Sequence, residues 1–178
     1  MLQMKFHPRF IEAFHSGQKI TSLRMLDFEC TRYDFNKKFP PAYVHRDTLK
    51  HRIRIETVEG LDLSLPQGSA VKYSTDLAGL LERQPYRQGD EIELVTRVEG
   101  GEIAPFAIAT IADISVIRGD QINNTHAIMD GFNPDRDPLA ELHAFMRDVY
   151  HTADPAKEMY WLYTFTNIQM LSQWGGEA

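Results

Sequence analysis

Apolar and polar positions first alternate and then recur at helical spacing over the opening of the chain. "LQMKF" alternates as a short strand. Pro8 then opens a helix at its first turn, with Phe10, Ile11 and Phe14 as its apolar stripe and Gly17 as a left-handed stop. "KITSLRM" returns to an extended pattern, on which Ser22 and Arg24 share one face and Lys19 belongs to the other. Lys19 must therefore sit in the turn, ahead of regular strand geometry, if it is to reach Ser22.

The pattern is weaker from residue 25 to about 86. "RIRIETVEGLDLSLP" alternates on both sides of Glu59-Gly60 and predicts a hairpin, and "STDLAGLLERQP" predicts a short capped helix that stops at Pro85. Beyond it, Gly89-Asp90 marks a turn, residues 91–98 alternate, Gly100-Gly101 marks a second turn, and residues 106–117 form a long apolar-rich strand. Two antiparallel strands are expected there.

A helix follows in "DQINNTHAIMDGF", capped by Asp120 and ended by Gly131. Another follows in "DPLAELHAFMRDVYH", capped by Asp137, with Pro138 in its first turn and Leu139, Leu142, Met146 and Val149 toward the core. "EMYWLYTFTNI" is aromatic and β-branched and predicts a closing strand. The order of elements suits an α+β fold: a small mixed, mostly antiparallel β-barrel of about five or six strands with flanking helices. Hairpin connections between the later strands argue against a doubly wound parallel sheet.

At 178 residues the chain is long enough to bury a core without disulfides or metals. Cys30 is its one cysteine, which excludes an internal disulfide and a multi-cysteine zinc site. The histidines are scattered without an H-E-x-x-H arrangement, and G-x-G-x-x-G and Walker loops are lacking, so neither a metal nor a cofactor is expected. No long apolar run is present and the opening residues lack a signal-peptide core, which predicts a cytoplasmic protein with no membrane partner.

The net charge of −6 argues against a protein that coats DNA, yet it conceals an asymmetry. Residues 1–54 carry 11 Lys/Arg against 5 Asp/Glu, and residues 55–178 carry 8 against 20, so the basic third can attract phosphates locally.

Three positions stand out for chemistry: Lys19, Ser22 and Asp130. A carboxylate at the C-terminus of a helix meets the negative end of the dipole and calls for a cation, which Lys19 or Arg24 can supply. A lysine among basic neighbours, or partly desolvated, has its pKa lowered toward the range of a base, and a serine beside it can become a nucleophile. The bland alternative is a solvated lysine and arginine, a strand hydroxyl and a loop acid; on spacing alone that alternative is favoured, because K-x-x-S is common.

The ordered parts "HPRFIEAFHSGQKITSLR", "YRQGDEIEL", "HAIMDGF" with "LAELHAFMRDVY", and "YWLYTF" change the weighing. Together they resemble the ASCH domain of the PUA-like superfamily, through G-x-K-x-x-[T/S]-x-R, a G-D turn into a strand, A-x-x-[D/E]-G-F and a terminal aromatic strand. The resemblance covers most of residues 4–24 and 86–166. It implies one ASCH-like domain over residues 1–168 with an insertion at about 25–85 and a C-terminal tail at 169–178.

It also implies a β-barrel whose cleft binds RNA or a nucleobase. Some compact bacterial members look like amidohydrolases that remove the acetyl group of N4-acetylcytidine with a lysine, a threonine and a glutamate. Carried over by motif, these fall on Lys19, Ser22 and Asp130, with hydroxyl chemistry kept at Ser22 and the acid shortened by a methylene at Asp130. In that version Lys19 is the base, Ser22 attacks the acetyl carbonyl, Asp130 orients or protonates, and Arg24 stabilises negative charge. The expected partner is a nucleoside or RNA.

Two other readings compete. A non-enzymatic RNA-binding module would use Lys37, Lys38, Arg52 and Arg54, interleaved with aromatic residues, as a phosphate-tracking surface. A metal-independent ribonuclease would use Lys19 assisted by His126, which lies one turn before Asp130 and would help to hold the substrate.

Overall fold

The computed structural model describes residues 1–26, 43–45, 54–62, 69–75, 81–82 and 84–172. The chain divides into two compact units, one formed by residues 1–23 with 86–178 and the other by residues 24–85.

The first unit is α+β and is built on a five-stranded curled half-barrel sheet in the order β1-β6-β7-β8-β2. Its strands are β1 (Leu2–Phe6), β2 (Thr21–Met25, which runs across the boundary), β6 (Glu91–Arg97), β7 (Ile103–Arg118) and β8 (Met159–Met170). Strand β1 pairs in parallel with β6, which a crossover as long as residues 7–90 permits. The pairs β6–β7 and β7–β8 are antiparallel. Gly100 and Gly101, both at positive φ (94° and 86°), carry the turn between β6 and β7.

Curling has a local cause. The β6–β7 ladder shifts register between Leu94 and Val95, and the β7–β8 ladder shifts at Ile108/Thr110 and again at Ile111/Asp113. Each bulge bends its strand and increases the local twist. The first also explains why Leu94 and Val95, neighbours in a strand, are both buried.

Strand β1 buries Met4 and Phe6 on alternate positions, as its pattern predicts. Pro8–Phe10 form a 3₁₀ turn that continues into α1 (Ile11–His15), and Gly17 at φ 79° ends it. Phe14 on α1 meets Phe6 edge-on at 5.0 Å, and Phe6 in turn meets Phe106 of β7 and Phe165 of β8 at 6.3 and 6.1 Å. Each such buried ring contributes roughly 1.5–3 kcal/mol relative to exposure.

Helix α2 (Asn124–Met129) starts three residues later than the pattern suggested. Asn123, not Asp120, caps it: the Asn123 side chain accepts from the His126 N–H, whereas Asp120 accepts from the Arg118 guanidinium at 3.1 Å in a separate 3₁₀ turn. Helix α3 (Pro138–Tyr150) is capped by Asp137 as expected and ends at His151, in the left-handed region. Its apolar contacts run along Pro138, Leu142 and Met146, with Phe145 5.2 Å from Phe10, while Val149 is 39% exposed instead of facing the core. Val149 shares a helix face with Phe145 but sits in the last turn, one residue before the end of the helix.

The second unit contains the three-stranded sheet β3-β4-β5, from Tyr43–His45, Arg54–Asp62 and Ser69–Thr75, antiparallel throughout. The hairpin expected at Glu59-Gly60 is absent: β4 runs straight through both residues, and the register shift between Val58 and Gly60 identifies a bulge. An internal glycine in a strand suits a bulge as well as a turn. Ser74 and Thr75 complete β5 instead of opening a helix. Cys30, the rest of that expected helix apart from residues 81–82 and 84–85, and residues 173–178 of the tail lie outside the described residues.

Candidate functional site

The segment between α1 and β2 is anchored on three sides. Lys19 N–H donates to the Ala13 carbonyl, Ile20 N–H donates to the Met129 carbonyl at the end of α2, and Ile20 C=O accepts from Phe165 N–H of β8. Gln18 Nε2 donates to the carbonyls of Ile128 and Phe132, on both sides of the turn that ends α2. A side chain leaving this segment is thus delivered to the C-terminus of α2.

Lys19 is that side chain, and it is 2% exposed. Its Nζ donates to the Thr21 carbonyl at 2.8 Å, the Asp130 carbonyl at 2.5 Å and Asp130 Oδ1 at 3.1 Å. Three rings complete its surroundings, with centroids at 4.7 Å (Phe10), 5.5 Å (Phe6) and 5.5 Å (Phe14). Ring faces attract a cation, and the attraction is stronger out of water.

Asp130 is the C-cap of α2. Its Oδ1 accepts from Lys19 Nζ, from Thr21 Oγ1 at 3.2 Å and from the Leu23 N–H at 3.2 Å. Burial pushes the Asp130 carboxyl above the usual carboxylate range; the Lys19 charge, and the hydrogen bonds from Lys19, Thr21 and Leu23, oppose that shift without cancelling it. The cation that a carboxylate at this helix end calls for is supplied by Lys19.

Gly131 lets the two residues meet. It has φ of 104°, and a Cβ there would come within 3.0 Å of Lys19 Cδ and 3.1 Å of Phe10 Cδ1. Both conformation and close approach therefore demand glycine.

Of the residues that the sequence singles out, Lys19 and Asp130 come together. The hydroxyl beside them is that of Thr21, which strand alternation sets on the face opposite Ser22. Ser22 is itself buried. Arg24 is also buried on β2, and belongs to the second compact unit. His126 opens α2: its Nδ1 accepts from Asn123 N–H at 3.0 Å while Asn123 Oδ1 accepts from His126 N–H at 3.1 Å, so one ring nitrogen is committed to the helix cap. Lys37, Lys38 and Arg52 lie outside the described residues, and Arg54 is the first residue of β4. Among the described residues, no group of three His, Cys, Asp or Glu side chains is placed to hold a metal ion, and no helix is long and apolar enough to cross a membrane.

Thr21 and the rings of Phe6, Phe10 and Phe14 were not singled out from the sequence as site residues. The signal for Thr21 was present, because it shares strand parity with Lys19.

No protein-family model and no curated protein matches this chain. Among solved structures, the crystal structure of protein EF3133 from Enterococcus faecalis V583, described as DUF984, is similar with a TM-score of 0.49 and 12% identity, over 97% of this chain and 78% of that one.

Proposed function

We propose that this is an ASCH-type protein: one domain, interrupted by the insertion at about 25–85, whose curled sheet completes a PUA-like barrel and whose site takes a cytidine-like nucleoside or an exposed RNA base. The observation that carries the reading is the Lys19–Thr21–Asp130 cluster, a buried ion pair with a hydroxyl on the same carboxylate oxygen. A carboxyl group held out of its ordinary range by burial, with a specific charge partner, is characteristic of functional sites.

In the catalytic form of this reading, the substrate is the N4-acetyl amide of cytidine. Asp130 Oδ1 takes the proton of a hydroxyl, the hydroxyl oxygen bonds to the acetyl carbon, and the C–N bond breaks as N4 receives the proton. Water then cleaves the resulting ester and releases acetate. The 3.2 Å contact favours Thr21 as the hydroxyl, with Lys19 as the positive charge beside it; Ser22 holds the position indicated by the family motif. The assay is incubation with N4-acetylcytidine and chromatography of released cytidine, with Lys19→Ala, Thr21→Val and Ser22→Ala beside wild type. Release that survives in Lys19→Ala would end the catalytic assignment.

One observation favours a second reading, binding without catalysis. Three acceptors already surround the Lys19 ammonium, which suits a fixed positive charge better than a proton acceptor. No release of cytidine, together with retained binding of cytidine or single-stranded RNA, is the outcome expected from that reading.

A further inference from the structure

Arg9 occupies a position that the buried cluster does not use. It lies in the 3₁₀ turn Pro8–Phe10, where its N–H donates to His7 Nδ1. Its guanidinium carbon is 5.3 Å from the centroid of Phe10, 5.2 Å from Phe132 and 5.6 Å from Phe145. Those rings come from three different elements and pack on one another at 5.6, 5.2 and 5.9 Å. The result is one aromatic shelf beneath one exposed guanidinium.

Three other arginines of the first unit are engaged by oxygen acceptors. Arg118 donates to Asp120, Arg136 to Glu141, and Arg97 to the Gly101 carbonyl. The Arg9 guanidinium has no acceptor among the described residues. Cation–π contact with rings set at 62–84° to one another engages the charge without supplying an oxygen acceptor to its N–H groups, and the planar fork of a guanidinium matches the oxygens of a phosphate. Packing against the rings also removes side-chain freedom before a ligand arrives, which lowers the entropic cost of binding.

Arg9 is also tied to the buried cluster through a shared ring. Phe10 lies 4.7 Å from Lys19 Nζ and 5.3 Å from the Arg9 guanidinium carbon, so the two cations are separated by at most about 10 Å.

We propose that Arg9 anchors a phosphate of the ligand, so that the preferred ligand is a phosphorylated nucleotide or an RNA strand, not a free nucleoside. The inference rests on the nucleoside-binding reading above for the base, and on the aromatic shelf alone for the phosphate.

Titration calorimetry with cytidine, cytidine 5′-monophosphate and a short single-stranded cytidine-rich RNA tests it, run on wild type, Arg9→Met and Arg9→Lys. Arg9→Met keeps an apolar stem on the shelf, and thermal unfolding verifies that each variant is folded. The monophosphate should bind wild type about tenfold more tightly than cytidine, as one charge-assisted hydrogen-bond pair provides. That gain should vanish in Arg9→Met and shrink in Arg9→Lys. Tighter binding of RNA than of the monophosphate, with the same dependence on Arg9, would identify the strand as the source of the phosphate; equal binding would identify the mononucleotide. Equal affinity for cytidine and its monophosphate in wild type, or a gain that persists in Arg9→Met, overturns the proposal and leaves the base site standing. If neither cytidine nor its monophosphate binds, the base reading fails, and inorganic phosphate followed by NMR at the Arg9 Nε–H decides the anchor: a shift specific to that proton supports it, and no shift overturns it.

Discussion

Lys19 Nζ reaches both the side chain and the main chain of Asp130, 3.1 Å from Oδ1 and 2.5 Å from the carbonyl oxygen. One ammonium thus neutralises the carboxylate and satisfies a carbonyl at the end of α2, where the helix dipole is negative. The contact joins the turn before β2 to the turn after α2, elements more than a hundred residues apart in sequence.

Removing one partner should be costly. Lys19→Met leaves the Asp130 carboxylate buried without its cation, and a loss of about 3–5 kcal/mol is expected at neutral pH. Urea unfolding of Lys19→Met, Asp130→Leu and the double variant checks this. The double variant should lose less than the sum of the singles, and simple additivity would show that the pair is not coupled.

The raised Asp130 pKa carries a sign. A carboxyl group that holds its proton to higher pH in the folded protein than in the unfolded chain stabilises fully below its unfolded value, near 3.8, and that contribution is lost as pH rises through the folded value. Wild type should therefore lose stability relative to Asp130→Asn as pH is raised from about 3.8 upward. Denaturant midpoints for both proteins across a pH series test this, and a difference that grows in wild type's favour would contradict it.

Gly131→Ala should lower the melting temperature and cost about 1–3 kcal/mol, because a non-glycine residue is forced to positive φ against Lys19 and Phe10. Gly17→Ala is the control. It has the same strain at φ 79°, with nothing within 4 Å of the added Cβ, so the smaller loss is expected there.

On the catalytic reading, Thr21→Val should reduce cytidine release by about 10²–10⁴-fold, the usual contribution of a proton transfer, while Ser22→Ala keeps most of it. The reverse ranking would return the nucleophile to the position that the family motif indicates. Circular dichroism separates these effects from misfolding, since Thr21 also donates to a buried carboxylate.

Much of the local structure was legible because it depends on short-range rules. Asp137-Pro138 starts α3, Gly100-Gly101 turns β6 into β7, and alternation in "LQMKF" places Met4 and Phe6 inside. Local rules failed where two local solutions compete. Gly60 can make a turn or a bulge, and Asp120 and Asn123 can both cap a helix; the β4–β5 ladder shows a bulge at the first, and the reciprocal Asn123–His126 capping box marks the second.

From the sequence alone came Lys19 and Asp130 as residues of interest, the helix-end carboxylate that needs a cation, and the parity that separates Lys19 from Ser22. Which cation answered that carboxylate, which hydroxyl stood beside it and how many rings enclosed the lysine were decided by tertiary structure. Those contacts join residues of β1, α1, β2 and the end of α2, and a pattern with a period of two or 3.6 residues says which way a side chain faces without saying what it will meet.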